Sequence, residues 1–103
     1  MRYRFSQDGE EDMLSILRYI SVNLSNPDAA EKFRGKVRKS INLLLTFPEL
    51  HPVEFKIKYE YRKMVVANYL VFYVIMENEI VISGILHSRQ NFKKIFKKSQ
   101  SLH

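Results

Sequence analysis

The chain opens with RYRFS at residues 2–6, where polar and apolar side chains alternate with the period of a short strand. The period then changes. Met13, Leu17, Ile20 and Leu24 recur at helical spacing, with Leu14 and Ile16 beside them, which predicts a helix running to about Asn23. Asp8 can cap it, Glu11 stands in the capping-box position, and acidic side chains meet the positive end of the helix dipole. Asn26-Pro27-Asp28 reads as a restart: a cap residue, then a proline where its missing N–H is no loss. Ala30, Phe33, Val37, Ile41 and Leu44 line one face of this second helix, cations cover the remainder, and Phe47-Pro48 ends it.

Residues 48–60, PELHPVEFKIKYE, begin irregularly and then alternate Phe55, Ile57 and Tyr59 with Lys56, Lys58 and Glu60, as an edge strand or extended arm would. Three segments rich in Val, Ile, Tyr and Phe follow at residues 64–67, 69–76 and 79–87, with a tight turn at Glu77-Asn78. Their near-continuous apolar runs predict strands buried on more than one face. Residues 88–98 set Phe92, Ile95 and Phe96 among four lysines, the pattern of a short amphipathic helix or of a tail that orders on a partner. The expected fold is an α+β domain of order β-α-α-β-β-β. It has an antiparallel sheet with an N-terminal αα-hairpin packed on one face. Residues 1–103 form one domain in this reading, with residues 88–103 as its basic tail or short helix.

Composition removes several classes of function. The chain has no cysteine, so disulfides, thiolate zinc sites and cysteine nucleophiles are excluded. His51, His87 and His103 are scattered and form no close ligand pair, so no metal or cofactor is expected. The start, MRYRFSQDGEED, turns acidic where a signal peptide needs an apolar run, which predicts a cytoplasmic protein. The longest apolar run, residues 64–76, is broken by Asn68 and is too short to cross a membrane. Charge is unevenly placed. Residues 1–55 carry eight basic and eight acidic side chains, whereas residues 56–103 carry nine and three, so the whole formal +6 lies in the second half. That asymmetry suits nucleic acid or an acidic protein, or serves only to keep the chain in solution.

Candidate chemistry gathers on the strands. Arg62, His87 and Arg89 form the leading constellation: arginine holds phosphate bidentately and histidine moves protons near neutral pH, which together would support RNA cleavage by a 2′-hydroxyl. The plainer reading makes His87 a strand terminus and pairs both arginines with carboxylates. Lys56, Lys58, Lys63, Lys93 and Lys94 are the polyanion- or target-binding candidates, with Tyr59, Tyr61, Phe92 and Phe96 available for stacking or for the core. No serine nucleophile motif and no glycine-rich phosphate loop is present.

EDMLSILRYI in the first helix, NPDAAEKF opening the second, LLLTFPEL at its end, YRKMVVANYLVFYVI through the strands and ISGILHSRQNF at the close occur together in order. In that combination the chain resembles the ParE/RelE superfamily of bacterial type II toxins over nearly its whole length. The resemblance implies a toxin neutralised by a cognate antitoxin, with operator DNA met only indirectly through the complex and with no membrane partner. RelE-like members cleave mRNA on the ribosome with basic residues of the central sheet, whereas ParE-like members inhibit DNA gyrase and are not nucleases. Arg62 matches the strand arginine of the family, Arg89 falls near its late arginine, and Lys56 and Lys58 resemble the lysines ahead of the central strand. Arg62, His87 and Arg89 are thus catalytic only if the chain is RelE-type. No tyrosine follows Ser88, and ILHSRQNF with NPDAAEKF is closer to ParE. The expectation is a ParE-type gyrase inhibitor. A ribosome-dependent endoribonuclease is the alternative, and a degenerate, non-toxic member the second.

Overall fold

Ser6 ends the first strand and starts the first helix. Its backbone is extended (φ −68°, ψ 169°), its N–H donates to the Ile82 carbonyl at 2.9 Å, and its buried hydroxyl accepts from Gly9 N–H at 3.1 Å. The cap is therefore Ser6 and not Asp8, because the chain enters the helix straight from the strand and Ser6 already meets the first free N–H groups. The computed structural model describes residues 1–90.

Strand β1 (Arg2–Phe5) leads into helix α1 (Gln7–Arg18), a π-helical turn (Tyr19–Asn23), and helix α2 (Pro27–Thr46). Strands β2 (Val53–Ile57), β3 (Tyr59–Val66), β4 (Tyr69–Met76) and β5 (Glu79–His87) follow. The α+β class and the αα-hairpin agree with the sequence reading, and the structure carries one strand more, because residues 53–57 pair as an edge strand. The sheet order is β1-β5-β4-β3-β2; β1 runs parallel to β5, and every other pairing is antiparallel.

Two apolar layers hold the sheet. On the helix-facing side, Met13, Leu17 and Ile20 meet Ala30, Phe33, Val37, Ile41 and Leu44 of α2, over Val71, Tyr73, Ile80 and Ile82 of the strands. Leu24 does not join them and is 55% exposed. The wider π turn, closed by Leu24 N–H to Tyr19 O at 3.1 Å, breaks the 3.6-residue spacing after Ile20 and turns Leu24 outward. On the other side, Tyr61, Leu70, Phe72 and Val74 form a second cluster with Phe55, Tyr59, Met76 and Leu86 against it. No helical residue among those described takes part in that cluster. The continuous apolar runs of β4 and β5 thus reflect burial of both faces.

Candidate functional site

The first candidate, Arg62, alternates along β3 with Met64 and Val66 of the helix-facing core and shares their side of the sheet. It pairs in register with Tyr73 of β4 and Val53 of β2. Its Nη1 donates to the His51 carbonyl at 2.6 Å. Tyr73, fully buried, donates its hydroxyl to the Pro48 carbonyl at 3.0 Å. The His51 ring stands edge-on to the Tyr73 ring at 6.3 Å. Burial raises the Tyr73 pKa, and a hydrogen bond with the His51 backbone and the Arg62 charge oppose that rise. Burial also lowers the pKa of His51. A half-buried arginine and a fully buried tyrosine therefore fasten the connection between α2 and β2 at two carbonyls.

The lysines lie on the β2–β3 hairpin and are largely matched by carboxylates. Lys56 pairs with Glu60 at 3.5 Å, and Lys63 with Glu54 at 3.2 Å, where a bulge in β2 sets Glu54 out of the regular ladder. Lys58 holds the turn with φ 64°, and its ammonium lies 5.5 Å from the Tyr59 ring centroid. Phe55 and Tyr61 stack at 4.9 Å beneath this hairpin, so Tyr61 (1% exposed) serves the second cluster and offers no face to a base. Lys93, Lys94, Phe92 and Phe96 lie outside the described residues.

His87 closes β5 opposite Tyr69, whose ring meets the imidazole edge-on at 5.4 Å. Its Nδ1 accepts the Arg89 N–H at 3.1 Å, which leaves Nε2 as the proton-bearing nitrogen of the neutral ring. The His87 N–H donates to Gln90 Oε1 at 2.9 Å, and the His87 carbonyl accepts from Gln90 N–H. Arg89 thus lies beside His87 on an exposed turn. Arg62 lies elsewhere. In β4 its register partner Tyr73 is four residues from Tyr69, the partner of His87, so the two sites are roughly 13 Å apart along the strand direction. They also sit on strands separated by β4. The structure brings His87 and Arg89 together and does not bring Arg62 to them. Among the described residues no cluster of three His, Asp or Glu side chains could hold a metal ion.

Two features carried no sequence signal. Asp12 accepts the Ile85 N–H at 2.9 Å, tying α1 to the end of β5. A cleft of about 570 Å³ opens between the first residue and the α2–β2 connection, lined by Met1, Phe47, Pro48, Glu49, Leu50 and Ile75 among others. The LTFPEL string marks a helix end, but not that its apolar residues would face outward.

The sequence matches the family described as the ParE toxin of the type II toxin–antitoxin system parDE over residues 3–92. The chain belongs to the ParE toxin family. A solved chain of a chromosomal ParDE toxin–antitoxin system from P. aeruginosa superposes with a TM-score of 0.68 at 16% identity, covering 84% of this chain and 95% of the other. At that identity the likeness speaks for the fold alone. No curated protein matches the sequence. In this ParE-family toxin the matched segment runs from β1 through all five strands and both helices, so the family covers the whole described fold. None of the toxin's described helices is long and apolar enough to cross a membrane.

Proposed function

We propose that this toxin inhibits DNA gyrase, acts in the cytoplasm as one domain over residues 1–103, and is neutralised by a cognate antitoxin. Family membership supports the toxin role, and one observation favours the gyrase branch over the nuclease branch. Arg62, the strand arginine that a RelE-type enzyme would turn to RNA, donates to the His51 carbonyl and stands well away from His87. Proton transfer and phosphate binding need groups within hydrogen-bond reach of one reacting centre. Arg62 and His87 share no such centre in this arrangement. Lys56 and Lys63, each in an ion pair, offer a weakened field to a polyanion.

The deciding experiment compares both targets with one preparation. Purified toxin is expected to suppress ATP-dependent supercoiling by gyrase, to lose that effect on addition of the antitoxin, and to leave transcripts intact in a translation extract. Transcripts cut between codons, with supercoiling unaffected, would assign the toxin to the nuclease branch.

A further inference from the structure

We infer that the cleft between Met1 and the α2–β2 connection is a preformed docking site for an apolar protein segment that carries a basic side chain. Arg62 and Tyr73 hold this site in shape. The connection, residues 47–52, exposes Phe47 (55%) and Leu50 (48%), two large apolar side chains that an unpartnered loop would gain by hiding. Hydrogen bonds fix the backbone that carries them. Phe47 N–H donates to Leu43 O at 2.9 Å, and Leu50 N–H to Phe47 O at 3.0 Å. The Pro48 and His51 carbonyls are fastened from the sheet by Tyr73 and Arg62. Apolar anchors fixed in advance lose little conformational freedom on binding, which is how a small surface reaches high affinity.

The lining chemistry selects the partner. At about 570 Å³ the cleft falls within the roughly 300–1,000 Å³ typical of ligand sites, and its walls are mainly Met1, Phe47, Pro48, Leu50 and Ile75. Among the described residues no lysine or arginine side chain lines it, which disfavours nucleic acid despite the chain's net charge of +6. Its charged lining side chain is Glu49, which has no ion pair among the described residues. A protein segment with large apolar side chains for the cleft and a lysine or arginine for Glu49 satisfies both features. Under the toxin–antitoxin reading, on which this part of the inference rests, that segment belongs to the antitoxin.

The test is calorimetric titration of purified full-length antitoxin into wild-type toxin and into five variants. Phe47→Ser combined with Leu50→Ser is expected to weaken binding by about 100-fold or more, as loss of two central anchors does. Glu49→Lys is expected to weaken it by about 10-fold, with the loss shrinking at high salt. Arg62→Gln, which removes the bond to the His51 carbonyl, is expected to weaken it by about 10-fold, and Arg62→Lys to recover most of that loss by donating again to His51. Thermal unfolding of the double variant checks that it folds, and Val22→Ser at the far hairpin tip serves as the control surface change. Antitoxin affinity of the folded double variant within about threefold of wild type would overturn the inference. So would unchanged antitoxin affinity with lost gyrase inhibition, which would assign the cleft to the target. Failure of wild-type toxin to bind the antitoxin at all would instead strike the toxin–antitoxin reading.

Discussion

Gly9 of α1 lies directly against the carbonyl group of Ile82 in β5. A side-chain Cβ at Gly9 would overlap the Ile82 oxygen and stand 3.1 Å from its carbon. The same oxygen accepts the Ser6 N–H, and the Ser6 hydroxyl reaches the Ser83 carbonyl at 3.4 Å. The first turn of α1 therefore takes over the edge of β5 where β1 stops pairing, at Phe5 opposite Ile82. Close approach, and not a turn conformation, is what requires glycine here.

Gly9→Ala is accordingly expected to destabilise the toxin. Alanine would gain up to about 1 kcal/mol of helix propensity, but pressing a methyl group into backbone costs about 1–3 kcal/mol or more, so a net loss results. Gly35→Ala gives the opposite sign. A Cβ there meets nothing within 4 Å, so helix propensity alone acts and stability should rise by about 0.5–1 kcal/mol. Urea unfolding of the two single variants measures both; equal shifts would refute the contact argument.

Asp12 predicts a pH dependence. Burial raises its pKa first of all, the Ile85 N–H lowers it, and Asp8 and Glu11 raise it further. Its folded pKa stands above its unfolded value, so folding favours the protonated form. The stability this group contributes is fully present below the unfolded pKa and is lost as pH rises through the folded pKa. The affected window opens at the ordinary value of 3.8 and extends upward from it. Asp12→Asn keeps an acceptor for Ile85 N–H without the desolvated charge. It should match or exceed wild-type stability at neutral pH and flatten that part of the stability–pH curve. A variant clearly less stable at neutral pH would show that the charge itself holds α1 to β5.

The sequence disclosed those parts of this fold whose cause is local. The stripe from Ala30 to Leu44 is legible because every buried residue of α2 obeys one period and Asn26-Pro27 marks its start. Leu24 misleads because a π turn changes that period without a sequence mark. Asp8 misleads as a cap because Ser6 is chosen by contact with β5, 77 residues later in the chain. The candidate site is less legible still. Arg62 looks like a surface cation in a basic half of the chain, and only the position of the α2–β2 connection shows that it meets a carbonyl 11 residues earlier. Asp12 reads as one of several acids near a helix start, and its tie to Ile85 depends on how α1 crosses the sheet.

The hairpin lysines should differ in their effect on stability. Lys56 and Glu60 have side chains 71% and 55% exposed, so Lys56→Ala is expected to cost less than about 0.5 kcal/mol. Lys63 and Glu54 are only 25% and 29% exposed, and Lys63 also stands over the second apolar cluster through its neighbour Phe72. Lys63→Ala should cost about 1 kcal/mol, partly from its lost aliphatic stem, and only the ionic share should fade in high salt. Thermal melts at low and high salt separate the two; identical melting shifts for both variants would contradict the difference in burial.

The clamp on the α2–β2 connection makes a prediction about cooperativity. Tyr73→Phe removes the bond to Pro48 while keeping the ring, and should cost about 1 kcal/mol. Arg62→Gln removes the bond to His51 and should cost about 1.5–3 kcal/mol, since a charged donor is lost. Because both bonds fix one loop, the first loss frees backbone that the second bond alone no longer orders as well. The double variant should therefore fall short of the sum of the single costs by about 0.5 kcal/mol or more. Amide exchange at Leu50 and His51 should accelerate in each single variant while exchange in the middle of β4 follows only the global change. Strict additivity, with exchange at Leu50 unchanged, would mean that Arg62 and Tyr73 act on the sheet alone and that the loop keeps its shape without them.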